Sequence, residues 1–212
     1  FSASVMAGSL TRISQGATPF LIPLMLQLGF GLSAAAAGQI SIATALGSMA
    51  MKPLQVRILR TLGFRTSLMI FGVIGTLAYG LCSIFRPDWP LPLVFVILFF
   101  CGFFMSFQFT AYNTIAYDEI GRDRMSSATS FYTTFQQLML SLGICIAALA
   151  LHASMYVHAH ETAEMGDFSI AFVVVTLIAL LAMFWNARFS RTAGSEISGH
   201  RRKSPEDSLG GH

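Results

Sequence analysis

His158 and His160, followed closely by Glu161 and Glu164, come nearest in this chain to residues whose types and spacing do chemistry. On a strand, both imidazoles of an HxH pair point to one side and can share a metal ion. The pair sits in a polar stretch with no third strong ligand at fixed spacing, so it reads as a solvated loop. Cys82, Cys101 and Cys145 each fall in a different apolar segment, with no CxxC spacing, and read as packing residues. Nothing matches a nucleophile elbow, a phosphate loop or a zinc-protease helix. The sequence therefore offers no catalytic constellation, and neither an enzyme activity nor a cofactor or metal is expected.

A different chemistry is written in RISQGATPFLIPLMLQLGFGLS, residues 12–33. At about 100° per residue, Arg12, Gln15, Pro19, Pro23 and Gln27 fall, with Gly8 and Gly16, within roughly a third of a helix circumference. Pro19 and Pro23 release the carbonyls of Gln15 and Pro19, and a freed carbonyl in lipid must find another partner. The stripe is thus expected to face protein or a wet cavity. Arg12 has two readings: a cavity residue, or a side chain that snorkels to the interface. Its place on the face of Gln15 and the prolines favours the cavity.

The elements that must carry these residues are membrane helices. Of 212 residues, 54% are hydrophobic and only 11% charged, against about 25% charged in soluble domains. A hydrocarbon core of about 30 Å takes about 20 apolar helical residues. Six segments reach that length, at roughly 5–29, 34–51, 66–85, 91–113, 127–150 and 168–187. Ser33 is the expected N-cap of the second and Asp167 of the sixth. The stretches MKPLQVRILRTLGFR and HASMYVHAHETAEMGD read as loops. In the fourth segment Cys101, Met105, Gln108 and Tyr112 share a face. In the fifth, Thr129, Thr133, Gln136, Gly143 and Ala147 form one face, and Ser130, Thr134, Gln137 and Ser141 its neighbour. Gln136 and Gln137 suit either a cavity lining or interhelical hydrogen bonds. The sixth segment is greasy all round and closes with Trp185, an interface residue. No Asp or Glu lies inside the six segments, so a proton-carrying carboxylate is expected elsewhere in a longer protein.

Eleven of the thirteen Lys and Arg residues sit in the connections after the second and fourth segments or in the tail from Arg188, and the opposite connections hold only Arg86. By the positive-inside rule those basic segments, and both ends of the chain, are cytoplasmic. The tail, residues 188–212, is too polar to fold alone. A net charge of +3 is too small to suggest nucleic acid. With no initiator Met and no signal-peptide pattern, the chain reads as the carboxy-terminal piece of a longer one.

The runs ATPFLIPLMLQLGFGLSAAAAG, MKPL…ILRTLGFR and RMSSATSF…QQLMLSLG resemble the carboxy-terminal half of a major facilitator superfamily transporter. Among these the chain is most similar to the EmrB/QacA type of drug:proton antiporter, over nearly all of residues 5–187. The superfamily's basic loop motif, G-x-x-x-D-R-x-G-R-R, is met at Gly63 and Arg65, while Arg60 and Thr61 stand where it has Asp and Arg. The resemblance implies an all-α, polytopic six-helix bundle over residues 1–187, one half of a major facilitator fold. It implies efflux of small lipophilic or amphipathic compounds by alternating access across a bacterial cytoplasmic membrane. The expected partners are a missing amino-terminal half, the lipid bilayer, a small-molecule substrate and protons. In that fold the first and fourth helices line the cavity and the second and fifth flank it. The candidate lining is then Arg12, Gln15, Pro19, Pro23, Gln27, Met105, Gln108, Tyr112, Thr133, Gln136 and Gln137. The rival readings are a carrier for another solute, a membrane-embedded enzyme, which would need clustered His or acidic groups, and a structural or regulatory subunit without a site.

Overall fold

In the computed structural model, which describes residues 2–118 and 125–186, six α-helices follow one another through short connections. They are α1 (Ser2–Leu24), α2 (Ala34–Leu62), α3 (Phe64–Leu81), α4 (Leu91–Asp118), α5 (Met125–His158) and α6 (Met165–Asn186). There is no strand among the described residues. Helix α1 widens at its end into a π-helical turn, Met25–Gly29, where Phe30 N–H donates to the Met25 carbonyl at 3.1 Å. Gly31, at φ 67°, then turns the chain towards α2.

Four stretches are long and apolar enough to cross a membrane by composition alone: Ala34–Leu62, Thr66–Ile84, Leu91–Thr114 and Phe131–His158. A shorter apolar helix, Met165–Leu181, lies within α6. Large apolar side chains such as Leu77, Phe131, Leu149 and Leu177 are more than half exposed. That suits a bundle whose outer solvent is hydrocarbon.

Helix α2 lies along α4, and α1 along both α5 and α6, while α3 packs on α4 and α6. Two of these contacts are backbone to backbone. A Cβ on Gly16 would lie 2.0 Å from the Leu140 carbonyl oxygen of α5, and one on Gly143 would lie 2.0 Å from that of Ile13 in α1. The α2–α4 pair repeats the device, Gly47 against Phe99 O and Gly102 against Thr44 O, each at 1.9 Å. Where no hydrophobic force separates protein from lipid, such close approach is what gives helix pairs their dispersion contact.

The helices are longer than the apolar runs. Helix α2 continues past Pro53 to Leu62, so most of the basic stretch read as a loop is helical. Met51 and Gln55 are buried there, and Ile58 and Leu59 pack on the cluster of Leu68 and Phe107. Gly63, at φ 74°, ends the helix, and Arg65 falls in the first turn of α3. Helix α5 likewise runs to His158, held by buried Leu151 and Ser154. Ser33 caps α2 as expected, accepting from Ala36 N–H at 3.2 Å. Asp167 is not the N-cap of α6; it stands at the third helical position and reaches back to accept from Glu164 N–H at 3.0 Å. That is the reciprocal half of a capping box. The tail from Arg188 and the residues 119–124, with Arg122 and Arg124, lie outside the described residues.

Candidate functional site

The polar stripe of α1 meets different surroundings along its length. At the level of Arg12 it is covered by α4 and α5, and the side chain is 4% exposed. Its Nη2 donates to Asn113 Oδ1 at 2.7 Å and to the Tyr132 hydroxyl, which itself donates to Asn113 Oδ1 at 3.2 Å. The guanidinium carbon lies 5.0 Å from the Tyr132 ring centroid and 6.0 Å from that of Phe109. Gly8 makes the room, since a Cβ there would be 2.9 Å from Arg12 Nη1. The Nε–H has no partner among the described residues. Oxygens and ring faces thus hold the cation on two sides, yet none of these groups carries a negative charge.

One turn on, Gln15 is half-buried and donates from Nε2 to the Met105 carbonyl at 3.2 Å. Met105 also accepts, through sulfur, from Thr18 Oγ1 at 3.5 Å. Gln108 is buried and turned towards α3, its Nε2 donating to the Phe71 and Gly72 carbonyls at 3.4 and 3.3 Å. Tyr112 is buried beside Met51 and Phe107. Further along α1 the stripe opens: Pro19 is exposed, and Pro23 and Gln27 are half-buried, with Gln27 Nε2 donating to the Pro23 carbonyl at 3.3 Å. On α5, Thr133 and Gln137 are exposed and Gln136 is half-buried. The structure therefore brings Arg12, Gln15, Met105, Gln108 and Tyr112 against α1, α3, α4 and α5 inside the half-bundle. It leaves Pro19, Pro23, Gln27 and the polar residues of α5 on or near its surface.

Asn113, Tyr132 and Phe109, which build the Arg12 pocket, are absent from the sequence-derived lining. Asn113 stood one residue beyond the Met105–Tyr112 face, and an amide at the end of an apolar run was the available signal. Tyr132 adjoins Thr133, but nothing in its spacing marks it.

At the far end, His158 and His160 stack with centroids 5.6 Å apart, and His160 Nδ1 lies 2.8 Å from Asp167 Oδ2. Asp167 is fully buried and also accepts from the Ser154 hydroxyl. That hydrogen bond to Asp167, with the charges of Glu164 and Asp167, raises the His160 pKa above the usual 6.5 despite partial desolvation. The described residues contain no group of three or more His, Cys, Asp or Glu side chains placed to hold a metal. The three cysteines are free thiols, Cys82 and Cys101 buried and Cys145 exposed.

The chain matches the Major Facilitator Superfamily over residues 1–144. It is 32% identical over 194 residues to a protein of Pectobacterium carotovorum subsp. carotovorum, an alignment covering 88% of this chain and 41% of that protein. It is 33% identical over 154 residues to a protein of Serratia proteamaculans, covering 71% and 32%. A third, from Citrobacter koseri, is 30% identical over 216 residues, covering 97% and 44%. All three carry the provisional name multidrug resistance protein MdtD. The chain spans less than half the length of these curated relatives.

Proposed function

From a chain that belongs to the Major Facilitator Superfamily, we propose that these helices are one half of a carrier that exports small lipophilic or amphipathic compounds. Export proceeds by alternating access, coupled to protons. The cavity lies between this bundle and a second one, as in repeat-built carriers generally. Its wall here is the open part of the α1 stripe, Pro19, Pro23 and Gln27, with Thr133, Gln136 and Gln137 of α5. The printed names of the relatives support a drug as cargo.

The observation that carries this reading is Arg12. A charge taken out of water costs several kcal/mol unless it is paired, and a guanidinium near a helix centre costs about 2.5–3.5 kcal/mol on insertion scales. The described groups around Arg12 offer it only neutral acceptors. The expected anionic partner, reached when α4 and α5 draw back from α1 in the transport cycle, is a carboxylate of the other half-bundle or an anionic group of the cargo. Arg is a planar fork, so a bidentate role does not survive replacement by Lys. In the full-length protein, at matched expression, efflux of a lipophilic dye is expected to fall at least roughly tenfold for both Arg12→Ala and Arg12→Lys. Wild-type efflux from Arg12→Lys would make Arg12 a structural clamp between α1, α4 and α5 instead.

The host membrane is the bacterial cytoplasmic membrane, with the basic end of α2 inside and the His158–Glu164 connection outside, a reading supported by the distribution of Lys and Arg. Single cysteines at exposed Glu161 and at Ser195, in a cysteine-free background, test this on intact cells. An impermeant thiol reagent should label the first and spare the second; the reverse pattern inverts the topology.

A further inference from the structure

Next to the Arg12 pocket, towards α3, α1 carries a second polar cluster. Ser14 and Gln15 of α1 meet Thr76 and Tyr79 of α3 and Gln108 of α4 around a cavity of about 10 Å³. Two atoms of its lining residues are shut off from solvent and make no hydrogen bond of ordinary geometry to a described residue: Gln15 Oε1 and the Tyr79 hydroxyl, beside which stands the hydroxyl of Thr18, already donating to the Ser14 carbonyl at 3.2 Å. Their neighbours are committed elsewhere. Gln15 Nε2 is spent on Met105, Gln108 Nε2 on the carbonyls of α3, and Ser14 Oγ on the Leu10 carbonyl at 3.3 Å. Buried polar groups in folded proteins are paired almost without exception, by protein or by ordered water. An amide oxygen can only accept and a phenolic hydroxyl can donate, so one molecule able to do both satisfies the pair.

We infer that this cavity is a binding site for a single water molecule, which donates to Gln15 Oε1 and accepts from the Tyr79 hydroxyl. The room suffices for one water and the site is polar, the two conditions such a site must meet. No carboxylate lines it, so nothing there offsets the desolvation of a cation; the species that fits is neutral water. The location adds a consequence. Pro19 deprives the Gln15 carbonyl of its helical donor, so the hydrogen-bond ladder of α1 is interrupted at the level of the cavity. There α1 is joined to α3 and α4 through an amide and an exchangeable water. The inference concerns the resting fold and is independent of what the protein carries.

Hydroxyl-radical footprinting by fast X-ray radiolysis, on the full-length protein in oxygen-labelled water, tests it, because radicals form from the bound water itself. Tyr79, 1% exposed, is expected to take up labelled oxygen faster than Phe107, which is fully buried among apolar side chains, and by more than the intrinsic difference between the two rings. Gln15→Leu removes one anchor of the water and should bring Tyr79 down to the Phe107 rate, corrected for that difference. Equal corrected rates for Tyr79 and Phe107 in the wild type overturn the inference, and so does an undiminished Tyr79 rate in Gln15→Leu. If that variant does not fold, the wild-type comparison alone decides.

Discussion

Arg12 and Asp167 are both buried charges, and the protein treats them oppositely. Asp167 receives the Ser154 hydroxyl, the Glu164 N–H and His160 Nδ1, whereas the Nε–H of Arg12 meets no acceptor among the described residues. The first arrangement is complete within the chain. Its pH dependence follows from the raised pKa of His160. A base whose pKa is higher folded than unfolded contributes stability that is fully present below the unfolded value of about 6.5. The contribution fades as pH rises through the higher folded value. Above that, neutral His160 can still donate Nδ1–H, but the attraction of its charge to Asp167 and Glu164 is gone; His158, 3.8 Å from Asp167 Oδ1, is the other base nearby. The melting temperature of wild type minus that of His160→Gln should therefore be largest below the usual histidine value of about 6.5 and shrink as the pH rises beyond it. A difference that stays level across that rise would mean that His160 acts only as a neutral donor. The histidines were visible in the sequence as a pair, but the carboxylate that makes them a junction was read as a helix cap. In fact it serves both ends of the turn.

At the scale of elements, the connection between α5 and α6 shows what spacing rules could and could not deliver. His160 N–H bonds the Met155 carbonyl at 2.9 Å and Ala159 N–H that of Tyr156 at 3.3 Å, the two bonds of a Schellman close. The left-handed position is held by Ala159 at φ 55°, where glycine is usual. Without a glycine there is no stop signal in the sequence, and the apolar run alone ends the expected helix early. The same substitution carries a prediction. An L-residue in this conformation costs about 1–2 kcal/mol, partly offset by the greater freedom that glycine gives the unfolded chain. Ala159 is exposed and loses no packing. Ala159→Gly should raise the melting temperature, by the equivalent of about 1 kcal/mol, whereas Ala153→Gly within α5 should lower it by about 0.5–1 kcal/mol. Loss of stability in both variants would show that the turn is held by something other than backbone geometry. What the sequence did carry is the polar stripe of α1, because helical periodicity alone places those residues on one face. Which part of the stripe is covered depends on Asn113 and Tyr132, 101 and 120 residues away from Arg12. No local pattern encodes a contact at that distance.

For the whole molecule, the described bundle meets the demands of a membrane but not, on its own, those of the carrier proposed above. Its helices supply their own backbone hydrogen bonds, its glycine contacts lock α1 to α5 and α2 to α4, and its outer side chains are apolar. Insertion asks for little more. Transport asks for a second wall. Gln137 stands exposed on α5, and polar groups facing lipid are costly unless another bundle or a water-filled cavity covers them. The carboxylates that do lie in described helices, Asp118 and Asp167, sit at helix ends, and Asp167 is already saturated by its donors. No described span holds a carboxylate at mid-membrane that could take up and release a proton. Residues 1–212 expressed alone should therefore enter the membrane, with Glu161 reachable from outside, yet vesicles bearing them should export a lipophilic dye no faster than empty vesicles under an imposed proton gradient. On the proposed reading, co-expression with the rest of a full-length transporter should restore export, since a second wall and a proton-carrying group would arrive together. Proton-driven export by residues 1–212 on their own would mean that this bundle closes a cavity with a second copy of itself, and that a group within the chain titrates where no carboxylate stands at mid-membrane.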